Sequence, residues 1–501
     1  MFSHDSLMII QNDWEHQIAI GRPFQQFYVV LRGSVAAPWL IGMLGTVFLA
    51  GTCMLIVTLL KIRIRALVIL TGAVLATCTT VTLINATYID WFDIFILALL
   101  LSCAGVYACT RKPMVGIFIG ALLLCISMGL YQAYLQVAVV LVLTMCAIAL
   151  ASGSASDARH IGLRGLLTVL LGGLLYILVQ LGSQFVFGVG ASDEYNSVAT
   201  AFSFGDATVL DALVHVWQDP FAYLLFPETH AVRLCAAINA VLLALTLVAF
   251  IIICMRHRNK CTVVFAIVVL AFVPLGAGCI NFAAYGNVHG LMILSYYLFY
   301  PFLFSLLDSL HFPTLSIVGS DGEGASRRQQ NLTRALVIVS AVLVSCVVFS
   351  NIVYANQVYL KKDLMYQSTS STLTRLESDL EDLDGYVPGK TPVILIGSLA
   401  HNDVFSDVRQ GFPPDDNQTD SVNGRFTDYA TGLEDSLTGS ITFPCQMRQF
   451  FTYVLGCPIN ILEEESLELL NGDEGNPMPV FPRQGSVLMD DGVAIVRLSD
   501  W

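Results

Sequence analysis

The opening segment, MFSHDSLMIIQNDWEHQIAIGRPFQQF, brings carboxylates and an arginine together within a short stretch. Asp5, Asp13 or Glu15 could act as a general base, because a carboxylate within hydrogen-bond reach can take the proton of an attacking hydroxyl. Arg22 and Arg32 are the only lysine or arginine side chains in residues 1–34, and the planar fork of arginine suits phosphate oxygens. Residues of these types could serve a group transfer in which one carboxylate acts as the base and an arginine binds an anionic group.

Each of these residues also has a structural interpretation. At 100° per residue, residues 12–22 form a short amphipathic helix suited to a membrane surface, in which Glu15 could reciprocate a cap at Asn12 instead of doing chemistry. Arg32 could extend along the interface as a snorkelling side chain, and histidines on exposed loops, such as His4 and His16, are often incidental. The sequence alone leaves both interpretations open.

The composition requires that these residues sit beside a membrane. The chain has 501 residues, of which 55% are hydrophobic and only 13% charged, and its mean hydropathy is +0.70. One water-soluble core cannot bury so much apolar surface, so we expect a polytopic α-helical membrane protein. The net charge of −13 argues against nucleic acid and against a basic surface for anionic lipid.

Runs long enough to cross roughly 30 Å of hydrocarbon number about ten. They lie at residues 35–60, 66–86, 91–110, 114–131, 134–151, 163–187, 232–255, 261–280, 288–307 and 334–355. We therefore divide the chain into an extracytoplasmic segment at 1–34, a transmembrane domain at 35–355 and an extracytoplasmic tail at 356–501.

The loops between these runs differ in charge. Alternate loops hold lysines and arginines, near residues 61–65, 111–112, 159–164, 256–260 and 327–334, and the positive-inside rule places them in the cytoplasm. The other loops, near residues 88, 132, 188–231 and 281–288, contain no lysine or arginine but several acids. We therefore expect the acids, the opening segment and the tail to face the outside.

An exported opening segment needs something to carry it across the membrane. Either this segment is translocated unaided or a further transmembrane helix precedes Met1. We expect the helix, so that residues 1–34 become a loop between two spans.

The tail changes character from the spans. The helical pattern LTRLESDLEDL is followed by the strand-like PVILIG and, at the end, by SVLMDDGVAIVRL, which predicts a small α/β domain. Cys445 and Cys457 lie in this tail and could form a disulfide if it is exported. The remaining cysteines show no CxxC spacing, so no metal site is predicted.

The outer loops and span ends offer further candidates for substrate binding. Arg233 stands at the start of a span, where it could bind phosphate or snorkel. Tyr131 and Gln132 mark the end of another span, where sugar contact competes with an aromatic-belt role for the tyrosine. Asp193 and Glu194 occupy the longest such loop, where acceptor binding and simple solvation are equally good explanations.

Five stretches carry a resemblance to a known family: HDSL, NDWEHQIAIGRPF, APWLIGMLGTVFL and, later, SMGLYQAYL and PVILIG. The chain resembles the bacterial serotype-converting glucosyltransferases of the O-antigen glucosyltransferase II type. The resemblance implies a type C membrane glycosyltransferase fold, a polyprenyl-phosphate-linked donor such as one on undecaprenyl phosphate, and transfer, usually with inversion, on the outer side of the plasma membrane. The acceptor would be a cell-surface polysaccharide or lipid-linked glycan.

In such a fold we expect the catalytic carboxylate at Asp5, with Asp13 and then Glu15 as alternates. Arg22, Arg32 and Arg233 would bind the donor phosphate, and the sugar or acceptor would contact His4, Tyr131, Gln132, Asp193 and Glu194. No cofactor is expected, and a divalent cation, Mg²⁺ or Mn²⁺, is left open.

Two other functions fit the same spans. A polymerase or ligase of lipid-linked glycans would also have large outer loops, but it would generally rely on outer arginines and a histidine. The outer loops between the spans of this chain lack arginine apart from the boundary residue Arg233. A carrier or flippase would bury ionisable groups in mid-span, whereas these spans are nearly free of charge.

Overall fold

The computed structural model describes residues 14–191, 202–311, 323–399, 402, 444–469 and 477–499, apart from short gaps at 206, 257–259, 286–287 and 289. The chain forms two compact units. One comprises residues 11–82 and 91–354, and the other contains residues 83–90 and 355–501.

Helices dominate the first unit. Each of the ten predicted apolar runs is helical over most of its length, and nine helical segments among the described residues are long and apolar enough to cross a membrane, while Met114–Leu130 is apolar but shorter. The helices are α1 Trp14–Ala19, α2 Gln25–Leu31, α3 Pro38–Leu59, α4 Arg65–Thr77, α5 Thr79–Thr87, α6 Phe92–Arg111, α7 Met114–Leu130, α8 Leu135–Ala151, α9 Ala155–Phe187, α10 Val209–Leu225, α11 Leu234–Met255, α12 Lys260–Ala277, α13 Cys279–Ala283, α14 Phe299–His311 and α15 Glu323–Glu381.

Several of the predicted runs are interrupted helices rather than straight ones. Cys78 has extended backbone between α4 and α5, Gly278 separates α12 from α13, and short 3₁₀ turns precede α14. Buried hydroxyls pair with the freed backbone groups: the Tyr297 phenol accepts the Thr79 N–H at 3.2 Å, and Ser295 donates to the Ala277 carbonyl at 2.6 Å. Such side-chain partners let irregular backbone persist among apolar helices.

Helix α10 lies inside the stretch 188–231 that the sequence analysis treated as a loop. Thr208 begins it with a capping box, in which the Thr208 hydroxyl accepts from the Asp211 N–H and the Asp211 carboxylate accepts from the Thr208 N–H. Asp219, buried on the same helix, lies 3.3 Å from His215. Two of the acids that marked this loop therefore have structural partners within a helix.

Helix α15 runs without a break through the expected boundary at residue 356. The apolar part and the pattern LTRLESDLEDL belong to one helix of 59 residues, because neither glycine nor proline interrupts the sequence between them. At residue 356 the helix changes from apolar to polar, but its secondary structure continues.

The tail contains a four-stranded sheet in the order β2-β1-β4-β3. Its strands are β1 Pro392–Ile396, β2 Asn460–Ile461, β3 Val487–Asp490 and β4 Val493–Arg497, with two short helices, α16 Pro444–Gln449 and α17 Glu463–Glu468. The predicted strand PVILIG is thus an inner strand, parallel to β2 and β4. Asp491 and Gly492, both at positive φ, make the two-residue turn between β3 and β4.

A contiguous apolar core supports this sheet. One face of the last turns of α15 contributes Leu373, Leu376 and Leu380, which pack with Val393 and Leu395 of β1. The spacing of three and four residues is that of one helix face, so the predicted helical pattern supplies this core directly.

Candidate functional site

Two short helices, α1 and α2, precede the first long helix, and each ends in the same local motif. At the end of α1, Gly21 has φ of 86°, its N–H bonds to the Ile18 carbonyl, and the Arg22 N–H bonds to the Gln17 carbonyl. At the end of α2, Gly33 has φ of 96°, and the next N–H bonds five residues back. These are Schellman motifs, which need glycine for the left-handed residue. The sequences IGRP and LRGS therefore fix the backbone around Arg22 and Arg32.

The predicted helix over residues 12–22 is shorter than expected. The described part ends at Ala19, because the turn at Gly21 stops it and Pro23 could not continue it. Asn12, the expected cap, lies outside the described residues.

We call residues 14–34 the docked segment, because they lie against the end of α7, the residues that follow it and the second half of α9. The Trp14 ring stacks on Phe187 at 5.6 Å between centroids, and the Gln180 amide donates to the Ile18 carbonyl at 2.6 Å. The Phe24 N–H bonds to the Gly129 carbonyl at 3.0 Å. A Cβ at Gly129 would lie 2.3 Å from the Phe24 ring, so this contact requires glycine.

Arg22 lies at the centre of this contact. Its guanidinium carbon is 5.2 Å from the centroid of the Tyr131 ring, a cation–π geometry. The Nε of Arg22 is buried and has no hydrogen-bond partner among the described residues. A buried donor without a partner is costly, and an anionic oxygen is the group that would satisfy it best.

Arg32, the second predicted phosphate ligand, already has an anionic partner. Its guanidinium donates to Asp93 at 2.6 Å, with both side chains nearly inaccessible. The Tyr28 phenol donates to the other oxygen of the same carboxylate at 3.0 Å. Burial, reinforced by the Asp93 charge, raises the pKa of Tyr28, so the phenol stays a proton donor. This cluster joins α2 to the first turn of α6.

Glutamines line the same segment. Gln17 and Gln25 are buried on α1 and α2, and the amide oxygen of each lacks a hydrogen-bond partner in the described part of the chain. Residues 17–25 thus contain one buried donor, the Arg22 Nε, and two buried acceptors, the amide oxygens, that have no partner among the described residues.

The other predicted site residues are less informative. Glu15 and His16 are exposed on α1, and Arg233 is exposed at the start of α11. Tyr131 is buried and Gln132 half-buried. Some predicted residues lie outside the described part of the chain: His4, Asp5, Asp13, Asp193 and Glu194. The structure thus brings together Arg22, Tyr131 and Gln132 and leaves the base untested.

Several residues that hold the site are absent from the sequence-based predictions. Asp93 was overlooked because it falls just inside an apolar run. Tyr176 and Gln180 were overlooked within α9, although two polar side chains four residues apart in an apolar helix point to one shared polar face.

The tail holds one group of possible metal ligands among the described residues: Glu377, Glu381 and Cys457, whose ligand atoms lie within 4.8 Å of one another. A hydrogen bond to Glu377 is the main reason that the pKa of Cys457 rises to about 11. Cys445 and Cys457 are both free thiols, so the structure does not contain the disulfide considered for them. Three ligands, partly exposed, do not define a metal centre.

Comparison with known protein families gives a match over more than half of the chain. The family model described as Glucosyl transferase GtrII matches residues 1–306, a range that contains the whole docked segment and every helix that contacts it. No curated protein and no solved structure matches the chain.

Proposed function

The chain belongs to the glucosyl transferase GtrII family, and we propose that it transfers glucose from a polyprenyl-phosphate-linked donor to an O-antigen or related surface glycan on the outer side of the plasma membrane. The family membership confirms the resemblance carried by the opening residues. The donor, the acceptor and the sidedness are our proposals.

The observation that best supports a phosphate-linked donor is the state of Arg22. Its guanidinium is held on Tyr131, its Nε has no partner among the described residues, and the neighbouring Arg32 is neutralised by Asp93. An arginine that is held in place, with a donor still open among the described residues, can stabilise the negative charge that develops on a leaving phosphate.

The proposed reaction is a single displacement. The acceptor hydroxyl attacks the anomeric carbon, a carboxylate takes its proton, and the bond from the anomeric carbon to the phosphate oxygen breaks with its electron pair going to the polyprenyl phosphate. A phosphate needs no protonating acid to leave, so one carboxylate suffices. We keep Asp5 as that base, with Asp13 and Glu15 as alternates.

The cation step is tested with a synthetic polyprenyl-phosphate glucose donor and membranes that contain each variant. Arg22→Ala should lower kcat about 10²- to 10³-fold, the range for losing one charge-stabilising group. Arg111→Ala is the matched control, because Arg111 also lies over a tyrosine ring, 4.9 Å from Tyr107, but at the opposite end of α6. Normal transfer by Arg22→Ala would contradict the proposal.

The base is tested in the same assay. Asp5→Asn should lower kcat about 10²- to 10⁴-fold at unchanged protein abundance, whereas Asp193→Asn should act mainly on acceptor affinity. A normal rate in Asp5→Asn would move the base to Asp13 or Glu15. Normal rates after replacing Asp5, Asp13 and Glu15 one at a time would exclude base catalysis by the opening segment.

A further inference from the structure

Gln132 makes an unusual set of contacts for a residue at the end of a helix. Its amide nitrogen lies 3.1 Å from the Ile20 carbonyl and 2.8 Å from the Gly21 carbonyl. It also approaches the Tyr176 hydroxyl, at 3.2 Å, and that hydroxyl donates to the Gly21 carbonyl at 2.8 Å. The side chain therefore binds main chain of the docked segment, on the two residues that precede Arg22.

Within the part of the chain that the structure describes, no backbone N–H is bonded to these two carbonyls. The Schellman motif at the end of α1 uses the carbonyls of Gln17 and Ile18, and the carbonyls of Ile20 and Gly21 follow it at the turn. Carbonyls in a buried turn need donors, and Gln132 and Tyr176 supply them. Without these donors the turn would be expected to shift toward other partners.

Gln132 also follows Tyr131, the residue that carries the Arg22 guanidinium. Tyr131 has extended backbone, with φ of −159° and ψ of 111°, where α7 ends. Two consecutive residues thus hold two consecutive residues of the docked segment: Gln132 binds the Gly21 carbonyl, and Tyr131 supports the Arg22 side chain.

We propose that Gln132 is a positioning residue, which fixes the Ile20–Arg22 turn so that the Arg22 guanidinium faces the donor phosphate. The inference rests on the proposed function for the role of Arg22, and it goes beyond it by assigning the part that sets Arg22 in place. It differs from the sugar contact first considered for Gln132, because here the amide binds protein main chain instead of substrate.

The decisive variant is Gln132→Met, which keeps the length of the side chain and removes both N–H donors. We expect kcat to fall about ten- to hundredfold, because misplacing a charged group by about 1 Å can cost that much. The KM for acceptor should stay unchanged. Tyr176→Phe removes one of the two donors to the Gly21 carbonyl and should lower kcat by a smaller factor.

A second measurement reports the turn itself. Ile20, half-buried in the docked segment, is replaced by cysteine, and its rate of modification by a membrane-impermeant maleimide is followed by mass spectrometry of the peptide. Labelling should be faster when Gln132→Met is added. Gln136→Met is the matched control, because the Gln136 amide also donates to a main-chain carbonyl, that of Met292, but does not bind the docked segment.

The outcomes separate the two proposals. Slower transfer and faster labelling in Gln132→Met, with both unchanged in Gln136→Met, support positioning. A raised KM for acceptor with unchanged labelling would overturn it in favour of direct sugar contact, and normal kinetics in both Gln132→Met and Tyr176→Phe would also overturn it. Normal transfer by Arg22→Ala would contradict the proposed function itself. Impaired transfer by Arg22→Ala with normal transfer by Gln132→Met would contradict only the positioning role of Gln132.

Discussion

At the scale of single residues, the two arginines of the docked segment have different surroundings although their sequence contexts are alike. Each sits beside a glycine that closes a Schellman motif. Arg32 finds a buried carboxylate, whereas Arg22 finds an aromatic ring. The chemistry open to each follows from the partner, so we propose Arg22 as the phosphate ligand and assign Arg32 a structural role.

The Arg32–Asp93 pair should be important for stability. Arg32→Met leaves the buried Asp93 charge without its cation and should cost about 3–5 kcal/mol, whereas Arg32→Met combined with Asp93→Leu should recover most of that loss. Thermal unfolding of the detergent-purified protein measures the loss of stability in each variant. Arg448→Met provides the control, because Arg448 pairs with Glu463 at the same 2.6 Å but at an exposed position, where pairs are worth under about 1 kcal/mol. Equal losses in the two single variants would contradict a structural role for Asp93.

His230 should make stability depend on pH. Burial lowers the pKa of this imidazole below its ordinary 6.5, and its Nε2 contacts the Leu224 carbonyl at 3.0 Å. The folded state therefore binds the proton more weakly than the unfolded state does. The contribution of neutral His230 to the free energy of unfolding is complete above about pH 6.5 and is lost as the pH falls below that value. The loss is about 1.4 kcal/mol per pH unit between the two pKa values.

The measurement for His230 is the thermal midpoint between pH 7.5 and pH 5. His230→Gln should show a weaker decline than the unaltered protein over this range. His160→Gln, at an exposed position, should decline as the unaltered protein does. Parallel curves for all three proteins would exclude His230 as the cause.

At the scale of elements, helices α6, α7 and α9 approach closely through small residues. Gly105 and Gly120 face each other, such that a Cβ on Gly120 would lie 2.7 Å from the Gly105 carbonyl oxygen. A Cβ on Gly116 would lie 2.3 Å from the Ala108 oxygen. Stripes of small residues let helix backbones pack tightly in membranes. This packing fixes the helix ends to which the docked segment binds.

Adjacent glycines on α9 test this packing. A Cβ at Gly172 would lie 2.9 Å from Leu124 and 3.1 Å from the Ala121 carbonyl oxygen, whereas a Cβ at Gly173 would meet nothing within 4 Å. Gly172→Ala should destabilise by about 1–3 kcal/mol through overpacking. Gly173→Ala should stabilise slightly, by up to about 1 kcal/mol, because alanine favours helix. Unfolding in detergent compares the two variants, and a reversed order would refute the proposed helix contact.

At the scale of the whole molecule, the alternation of basic and acidic loops predicts which parts face the outside. Cysteines placed at His16 and Lys390, both exposed, should react with an impermeant reagent in intact cells. A cysteine at Lys112, in a basic loop, should react only after permeabilisation, because positive loops stay in the cytoplasm. Labelling of position 112 in intact cells would reverse the assignment, and opposite sides for positions 16 and 390 would change the span count by one.

The tail should fold by itself, because it has its own apolar core around the four-stranded sheet. Residues 356–501, produced alone, should unfold cooperatively, and Leu395→Ala should lower the stability by about 2–5 kcal/mol. Circular dichroism during denaturation tests this. We expect the isolated tail to transfer no sugar, and transfer by the tail alone would remove the chemistry from the docked segment.

The sequence by itself determined what depends on composition and local order. Length and hydropathy gave the apolar helices, the short apolar run PVILIG gave a strand, and IGRP and LRGS fixed two helix ends, because these features need only neighbouring residues and the solvent around them. Family membership likewise follows from the sequence.

Only the tertiary structure decided which side chains meet. Asp93 lies 61 residues from Arg32, and Gln132 lies 111 from Gly21, so nothing local could pair them. Their pairing comes from helices that bring distant segments to one end of the unit. A polar atom buried there is costly without a partner. Arg32 finds a carboxylate and the turn before Arg22 finds an amide, whereas the Arg22 Nε has no partner among the described residues.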